Sequence, residues 1–216
     1  GIRPLVYGTQ NNSYLIASES CVLQHLDFQL VRNIEAGEIG IFEYGKSKPI
    51  FFQHRINSCT PCIFEYLYFA RADSIIDKIP VYESRIQIGR LLGQQILQTI
   101  PIHDIDCIVP VPETSNIFAL GVEQVTGIPI HFGFIKNNYI KRTFIMENDD
   151  IIQENIWRKL HAIDAVFRNK TVLIIDDSVV RGNTSKHIVK LAHQCGVKNI
   201  IFGSASPPVV NANKYG

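Results

Sequence analysis

The sequence predicts an α/β protein in which a parallel sheet flanked by helices follows a small β-rich segment. Up to about residue 55 the apolar segments are short and end at turn residues, a pattern typical of antiparallel strands. After Cys62 helical and strand patterns alternate, as they do where crossover helices join parallel strands. The chain has 216 residues, 46% of them hydrophobic, which is enough for one full core and part of a second.

Short apolar segments predict the strands. Those of the β-rich part are residues 14–17, 39–44 and 50–52, with a turn at residues 45–49. Those of the parallel sheet are residues 106–111, 128–132, 171–175 and 199–203.

Helical spacing of apolar residues predicts the helices. Ser84 is predicted as the N-cap of a helix with Ile88, Leu91, Leu92 and Ile96 on its apolar face. Ser115 is predicted to cap a helix that ends at Gly127. A polar helix is predicted around residues 157–167, and a last helix, stopped by Gly196, carries Ile188, Leu191, Ala192 and Cys195 on one face.

The composition excludes several classes of function. With 21 basic and 20 acidic residues, the chain has no general field that attracts nucleic acid, so phosphate affinity requires a local site. The five cysteines, an odd number, fit a reducing cytoplasm better than a secreted disulfide framework. No apolar run approaches the roughly 20 residues that span a bilayer. We expect a cytoplasmic protein that binds a small ligand, not nucleic acid or a membrane, and that is a piece of a longer protein.

The candidate site follows the strand at residues 171–175, where parallel sheets bind their ligands. Two adjacent carboxylates are followed by a loop that carries hydroxyl groups and a glycine. A helix begins near the end of this loop. These residues are Asp176, Asp177, Ser178, Val179, Val180, Arg181, Gly182, Asn183, Thr184 and Ser185. The glycine lets the chain curl around an anion, and the helix N-terminus adds partial positive charge. The arrangement favours a phosphate monoester.

The two carboxylates restrict the ligand further. Asp176 and Asp177 would repel a phosphate unless they face neutral hydroxyl groups or a divalent cation, which a phosphorylated ribose and Mg²⁺ supply. A structural alternative stays open: the carboxylates cap the next helix and the hydroxyl groups satisfy a turn. A second turn, at Glu113, Thr114 and Ser115, is suited to a diphosphate, although such a turn often only begins a helix.

These residues resemble a known family. The ten residues from Asp176 are similar to the phosphoribosyl-diphosphate loop of type I phosphoribosyltransferases, and their neighbours resemble the amidophosphoribosyltransferase family of purine synthesis. The strings that carry the narrower resemblance are residues 62–71 (CIFEYLYFAR), 110–115 (PVPETS), 141–146 (KRTFIM) and 158–162 (RKLHA). The resemblance implies a type I phosphoribosyltransferase fold in residues 56–216. It also implies that residues 1–55 are a β-rich remnant of an N-terminal-nucleophile glutaminase domain, to which residues 1–5 and 17–20 are similar.

The resemblance implies a transferase in which ammonia displaces pyrophosphate from carbon 1 of 5-phosphoribosyl diphosphate and forms 5-phosphoribosylamine. Asp176 and Asp177 would contact the ribose hydroxyls and, with the Thr114 hydroxyl, Mg²⁺. Residues 178–185 would hold the 5-phosphate, with Glu113 and Ser115 also binding substrate. Arg142 and Thr143 would be catalytic residues in a flap that excludes water.

The family also implies partners beyond the substrate. Its complete members take ammonia from glutamine, form tetramers and respond to purine nucleotides. This chain begins after the family's glutaminase nucleophile, so we expect it to use free ammonia and not glutamine.

The chain departs from the family in the flap and at two single positions. Residues 147–154 are acidic where the family has basic residues, and Lys141 and Asn183 replace a glycine and a threonine. Either this is a solvated surface loop or the chain is a weakened or inactive paralogue. A non-catalytic binder of phosphoribosyl diphosphate is therefore the alternative function. A base-salvage transferase is disfavoured because residues 62–71 do not belong to it.

The spacing of the cysteines and histidines does not predict a metal centre. Cys59 and Cys62 form a C-x-x-C pair, but zinc needs a second pair, and the seven histidines lack metal-ligand spacing. Some members of the family that this chain resembles carry an iron–sulfur cluster. One cysteine ligand of that cluster is at the position of Cys62 and another is near the position of Asn213. Because Asn213 is not a cysteine, we expect no iron–sulfur cluster.

Overall fold

A computed structural model describes residues 3–46, 48–53, 61–136 and 160–210. Its internal contacts divide the chain into two units, Gly1–Ser84 and Arg85–Gly216. The predicted domain boundary between residues 55 and 56 lies outside the described residues and stays a prediction.

Apart from a hairpin of two very short strands described below, the described residues of the first unit form two antiparallel sheets. The larger has the strand order β2-β1-β3, formed by β1 (Val6–Gln10), β2 (Ser13–Ala17) and β3 (Gln29–Asn33), with helix α1 (Ser20–His25) between the last two. The smaller pairs β4 (Glu38–Ile41) with β5 (Ile50–Gln53). The three predicted strands of this part are confirmed, although β4 ends at Ile41. Sequence reasoning missed β1, α1 and β3.

Aromatic rings pack together in the first unit. Phe42 lies within 5.9 Å, centroid to centroid, of Tyr7, Tyr14 and Phe51. The Arg32 guanidinium lies 4.0 Å from the Phe51 ring centroid and donates to Glu38 at 2.6 Å. The smaller sheet is thus held by packing and by one ion pair.

One carboxylate connects two of the strings that carried the family resemblance. Glu19 Oε2 accepts hydrogen bonds from the Arg71 amide at 2.7 Å and from Ser74 Oγ at 2.8 Å, and Ser20 Oγ accepts from the Ile75 amide at 2.7 Å. The connected segment comprises a π-helical turn (Glu65–Phe69) and the short strands β6 (Ile75–Ile76) and β7 (Ile79–Pro80). These residues therefore have a structural role within the first unit.

The second unit is built on a parallel sheet, as predicted. Its order is β12-β11-β8, from β8 (Cys107–Pro110), β11 (Thr171–Asp176) and β12 (Asn199–Ser204). An antiparallel pair, β9 (Phe134–Lys136) and β10 (Leu160–Ala162), precedes β11. The predicted strand at residues 128–132 is wrong in extent. Only an isolated bridge joins Ile130 to Ile108, because Pro129 has no amide hydrogen for a ladder.

The helices differ from the prediction mainly at their starts. They are α2 (Val81–Thr99), α3 (Ser115–Thr126), α4 (Asp164–Phe167) and α5 (Asn183–Gln194). Ser84 is not the N-cap of α2, because the amides of Val81 and Tyr82 already donate to the carbonyls of Ser74 and Ala72.

Two further helix predictions need correction. Ser115 is the first residue of α3, not its cap, and its hydroxyl lies 3.5 Å from Asp176 Oδ1. The polar helix around residues 157–167 is shorter than predicted: within the described residues, 160–162 form strand β10 and the helix begins at Asp164. The predicted ends at Gly127 and Gly196 are confirmed, each with a φ of 72°.

Helices cover both faces of the parallel sheet. Val172 and Ile174 pack with Ile188 and Ala192 of α5 on one face. On the other face, Gly203 lies next to Ile175 and Leu92 of α2. The predicted α/β class is thereby confirmed. None of the helices in the described ranges is both long enough and apolar enough to cross a membrane.

Candidate functional site

The site is built where β8 and β11 end side by side. Ile175 pairs with Pro110, and the Val111 amide donates to the Ile175 carbonyl at 2.9 Å. Because the strands are parallel, the turn after β8 and the residues after β11 leave the sheet at the same edge. This edge brings together Asp176, the last residue of β11, and the start of α3.

Asp176 and Asp177, the carboxylate pair, are held by the residues around them. Asp176 is 7% exposed, and its Oδ1 lies 2.9 Å from the Asp177 amide and 3.5 Å from Ser115 Oγ. Asp177 is half-buried and accepts from Ser178 Oγ at 2.8 Å, and the Thr114 hydroxyl lowers its pKa. The structure thus places the predicted residue Ser115 next to the pair, with Thr114 directly before it in the chain.

The pair lies in surroundings that oppose its ionisation. Burial and the neighbouring Asp177 charge raise the pKa of Asp176 to about 6. Burial also raises the pKa of Asp177, against the opposing effects of Ser178, the Arg85 charge and Thr114. The site would therefore gain from a bound cation or from hydroxyl donors.

The loop of residues 178–185 leads from the pair into α5. Its start is anchored to β12 and the residues after it, because the amides of Ala205 and Ser206 donate to the carbonyls of Asp176 and Asp177 at 2.9 and 2.8 Å. Gly182 has a φ of 74°, which a side chain would strain, and α5 begins at the next residue. Within the described ranges, no side chain caps this helix start.

The residues of this loop differ in exposure. Ser178, Gly182 and Ser185 are half-buried, whereas Val179, Val180, Arg181, Asn183 and Thr184 are exposed. The exposed Thr184 hydroxyl and the open N-terminus of α5 can both reach an anion from solvent.

Glu113 lies in the turn between β8 and α3. The peptide bond that joins it to Pro112 is cis. Its carboxylate Oε1 lies 3.8 Å from Nζ of Lys136, the last residue of β9. Lys136 was not singled out in the sequence, because a lone lysine gives no pattern.

Arg85 is the other residue that sequence reasoning missed. It is 4% exposed and its charge acts on Asp177. A signal existed, because Arg85 stands three residues before Ile88 and so continues the predicted apolar face of α2.

Several predicted residues lie outside the described part of the chain. They are Arg142 and Thr143, Lys141, the acidic residues 147–154, Cys59 and Asn213. In the described ranges, Cys62 is a half-buried free thiol and no group of three or more His, Cys, Asp or Glu side chains is arranged around an ion position. The predictions for the flap and for the iron–sulfur cluster therefore stay predictions.

Comparison with known proteins gives close relatives. No family model matches the chain. Proteins named amidophosphoribosyltransferase match all of it: that of Pseudomonas aeruginosa is 43% identical over 222 residues, that of Escherichia coli 42% over 224 and that of Saccharomyces cerevisiae 42% over 224. The chain spans 44% of the length of each of these curated relatives.

Solved structures agree with these relatives. A Bacillus subtilis glutamine phosphoribosylpyrophosphate amidotransferase, in complex with ADP and GMP, has a TM-score of 0.82 at 35% identity, covering 98% of this chain and 45% of its own. A structure described as the allosteric regulatory enzyme of purine biosynthesis has a TM-score of 0.83 at 35% identity, over 98% and 44% of the two chains.

Proposed function

Because this chain is homologous along its whole length to the amidophosphoribosyltransferase family, we propose that it transfers ammonia to 5-phosphoribosyl diphosphate. The products are 5-phosphoribosylamine and pyrophosphate, and the reaction is the first step of purine synthesis. The observation that carries the proposal is the carboxylate pair at the end of β11, with Asp176 buried and Asp177 half-buried, followed by the Gly182 loop and the open start of α5.

The two halves of the site suit the two ends of a phosphorylated ribose. The amides and hydroxyls of residues 178–185 and the partial positive charge of the α5 N-terminus favour the 5-phosphate. The carboxylates of Asp176 and Asp177 can accept hydrogen bonds from the ribose hydroxyls. Their negative charge would also stabilise the positive charge that the sugar gains during the reaction. Glu113 and Ser115 lie in the turn proposed for the diphosphate.

The donor set at the pair fits Mg²⁺. Asp176, Asp177 and Thr114 offer carboxylate and hydroxyl oxygens, the donors that this ion prefers, and burial raises the pKa of both carboxyls, so that a cation offsetting their charge would be favoured. A bound Mg²⁺ would neutralise negative charge on the leaving diphosphate. The proposal includes no iron–sulfur cluster.

The remaining parts of the proposal rest on the family. Arg142 and Thr143 would act at the reacting centre in a flap that keeps water out. Residues 1–55 would belong to a glutaminase domain and residues 56–216 to the phosphoribosyltransferase domain. The intact protein would be a cytoplasmic homotetramer that takes ammonia from glutamine and responds to purine nucleotides, without nucleic-acid or membrane partners.

A second candidate is a binder without turnover. The acidic residues 147–154 favour it, since carboxylates near a diphosphate raise the energy of the closed site. Asn183 at the first position of α5 adds to this case.

Two measurements on the same preparation separate the candidates. Calorimetry would measure phosphoribosyl-diphosphate binding with Mg²⁺, and pyrophosphate release would be followed with ammonium or glutamine as the only nitrogen donor. We expect binding, turnover with ammonium and no turnover with glutamine. Asp177→Asn should lower turnover by roughly a hundredfold, whereas Asp104→Asn, at a carboxylate that is 74% exposed, should not change it. Binding without turnover supports the second candidate, and absence of binding refutes both.

A further inference from the structure

The two residues that follow β12 hold the backbone on both sides of Asp177. The Ala205 amide donates to the Asp176 carbonyl at 2.9 Å. The Ser206 amide donates to the Asp177 carbonyl at 2.8 Å. These two carbonyls belong to the peptide groups that flank Asp177. Because a peptide group is planar, fixing both planes also fixes the direction in which the Asp177 side chain leaves the backbone.

A regular strand could not make both of these hydrogen bonds. In an extended strand the amides of successive residues point to opposite sides, so only every second amide faces a given neighbouring strand. The amides of Ala205 and Ser206 both face the end of β11. The chain must therefore turn directly after β12.

The Ser204 side chain closes this turn. Ser204 is the last residue of β12 and pairs with Asp176 in the parallel sheet. Its hydroxyl donates to the Ser206 carbonyl, two residues further along, at 3.2 Å. A serine hydroxyl that bonds nearby backbone gives the chain an alternative to the regular ladder. The Ser206 hydroxyl bonds the next carbonyl, that of Pro207, at 3.0 Å and does not span the turn.

We propose that Ser204 is a positioning residue for the carboxylate pair: its hydroxyl holds the turn that directs two successive amides to the carbonyls of Asp176 and Asp177. The proposal rests on the function proposed above for its kinetic consequence. Ser204 acts through the backbone and needs no contact with substrate. What it controls is the orientation that the backbone gives to the Asp177 carboxylate.

Hydrogen exchange tests the turn without reference to activity. Ser204→Ala removes one oxygen atom from a half-buried position, and Ser204→Thr keeps the hydroxyl. In Ser204→Ala the Ser206 amide should exchange about fivefold faster, the effect of losing one neutral hydrogen bond, and in Ser204→Thr its rate should stay within about twofold of the parent. The Val111 amide, which donates to the Ile175 carbonyl at the same edge of the sheet, reports general loosening and should be unchanged.

A matched control removes the other hydroxyl of the segment. Ser206→Ala loses the bond to Pro207 but keeps the bond across the turn, so its residue 206 amide should stay protected once the rate is corrected for the changed side chain. Three results would overturn the proposal. They are an unchanged Ser206 rate in Ser204→Ala, an equal rise at Val111, and an equal loss of protection in Ser206→Ala.

Kinetics test the consequence for substrate. The parent, Ser204→Ala and Ser204→Thr would be assayed with ammonium, Mg²⁺ and varied phosphoribosyl diphosphate. In Ser204→Ala KM should rise about threefold or more, because a misdirected Asp177 carboxylate weakens binding of the ribose, and Ser204→Thr should stay near the parent. A substitution that only destabilised the fold would lower the amount of active enzyme, and so the apparent kcat, without changing KM. An unchanged KM in Ser204→Ala therefore overturns the positioning role.

The two measurements separate this proposal from the proposed function. If the parent itself neither binds nor converts phosphoribosyl diphosphate, the proposed function fails. The exchange measurement still decides whether Ser204 holds the turn behind the carboxylate pair.

Discussion

Replacement of Asp176 by asparagine should make the metal-free protein more stable at neutral pH. Burial and the Asp177 charge raise the pKa of Asp176 from 3.8 to about 6 in the folded protein. At about 1.4 kcal/mol per pKa unit, ionised Asp176 destabilises the fold by about 3 kcal/mol at most. Asparagine has nearly the same shape, and its oxygen can still accept from the Asp177 amide and from Ser115.

The sign of the pH dependence follows from the direction of the shift. Because the folded protein holds the Asp176 proton more tightly than the unfolded chain, stability falls as pH rises from about 4 to about 6 and then levels off. The gain from Asp176→Asn should therefore be less than about 1 kcal/mol at pH 4 and should approach about 3 kcal/mol above pH 7.

The assay is denaturant unfolding at pH 4, 5, 6 and 8 with a chelator present, followed by circular dichroism. Asp104→Asn serves as the control, since its carboxylate is 74% exposed and should gain nothing at any pH. A gain from Asp176→Asn that is absent at pH 8, or equal at pH 4 and pH 8, would refute the assignment of a destabilising buried charge.

Three further predictions follow from the structure. Gly89→Ala should destabilise the second unit by about 3 kcal/mol or more, because its Cβ would lie 2.1 Å from the backbone oxygen of Phe118 in α3. Gly127→Ala, with φ of 72° but no neighbour within 4 Å, should cost only about 1 kcal/mol, and thermal unfolding compares the two; equal losses would contradict the close approach of α2 and α3. Thr184→Val should weaken ribose 5-phosphate binding by at least about tenfold in calorimetry, since a hydrogen bond to a charged group contributes about 1.5–3 kcal/mol; unchanged affinity would remove Thr184 from the phosphate site. Glu19→Gln should destabilise the first unit by about 1–2 kcal/mol, because an amide accepts from Arg71 and Ser74 less strongly than a carboxylate; hydrogen exchange at the Arg71 amide measures this, and unaltered protection there would speak against it.

Sequence patterns predicted those parts of the fold in which the apolar residues along the chain are also the residues that the structure buries. Residues 172–175 of β11 are a continuous, fully buried apolar run, and Asp176 and Gly182 mark where the strand ends and the next helix approaches. β1 and β3 were missed because glycine and polar residues interrupt them, and their pairing across α1 comes from tertiary contacts. The start of α2 was misplaced because carbonyls from the preceding loop, not a serine, satisfy its first amides.

The candidate site likewise contains residues that the sequence predicted and one that it missed. The carboxylate pair, Thr114 and Ser115 could be predicted because each stands at the end of a predicted strand. Arg85 was missed, although it continues the apolar face of α2, because an arginine in a helix normally lies in solvent and this one is 4% exposed.

The pairing of Lys136 with Leu160 has a consequence for engineering. Since β9 and β10 hold residues 136 and 160 side by side, any segment that joins them closes a loop between fixed ends, and the entropy of that closure depends only weakly on the length of the segment. A segment of different sequence or length can therefore be tested between these two residues. A chimera that carries the corresponding stretch of the Escherichia coli relative would replace the acidic sequence in one step and leave both points of attachment unchanged.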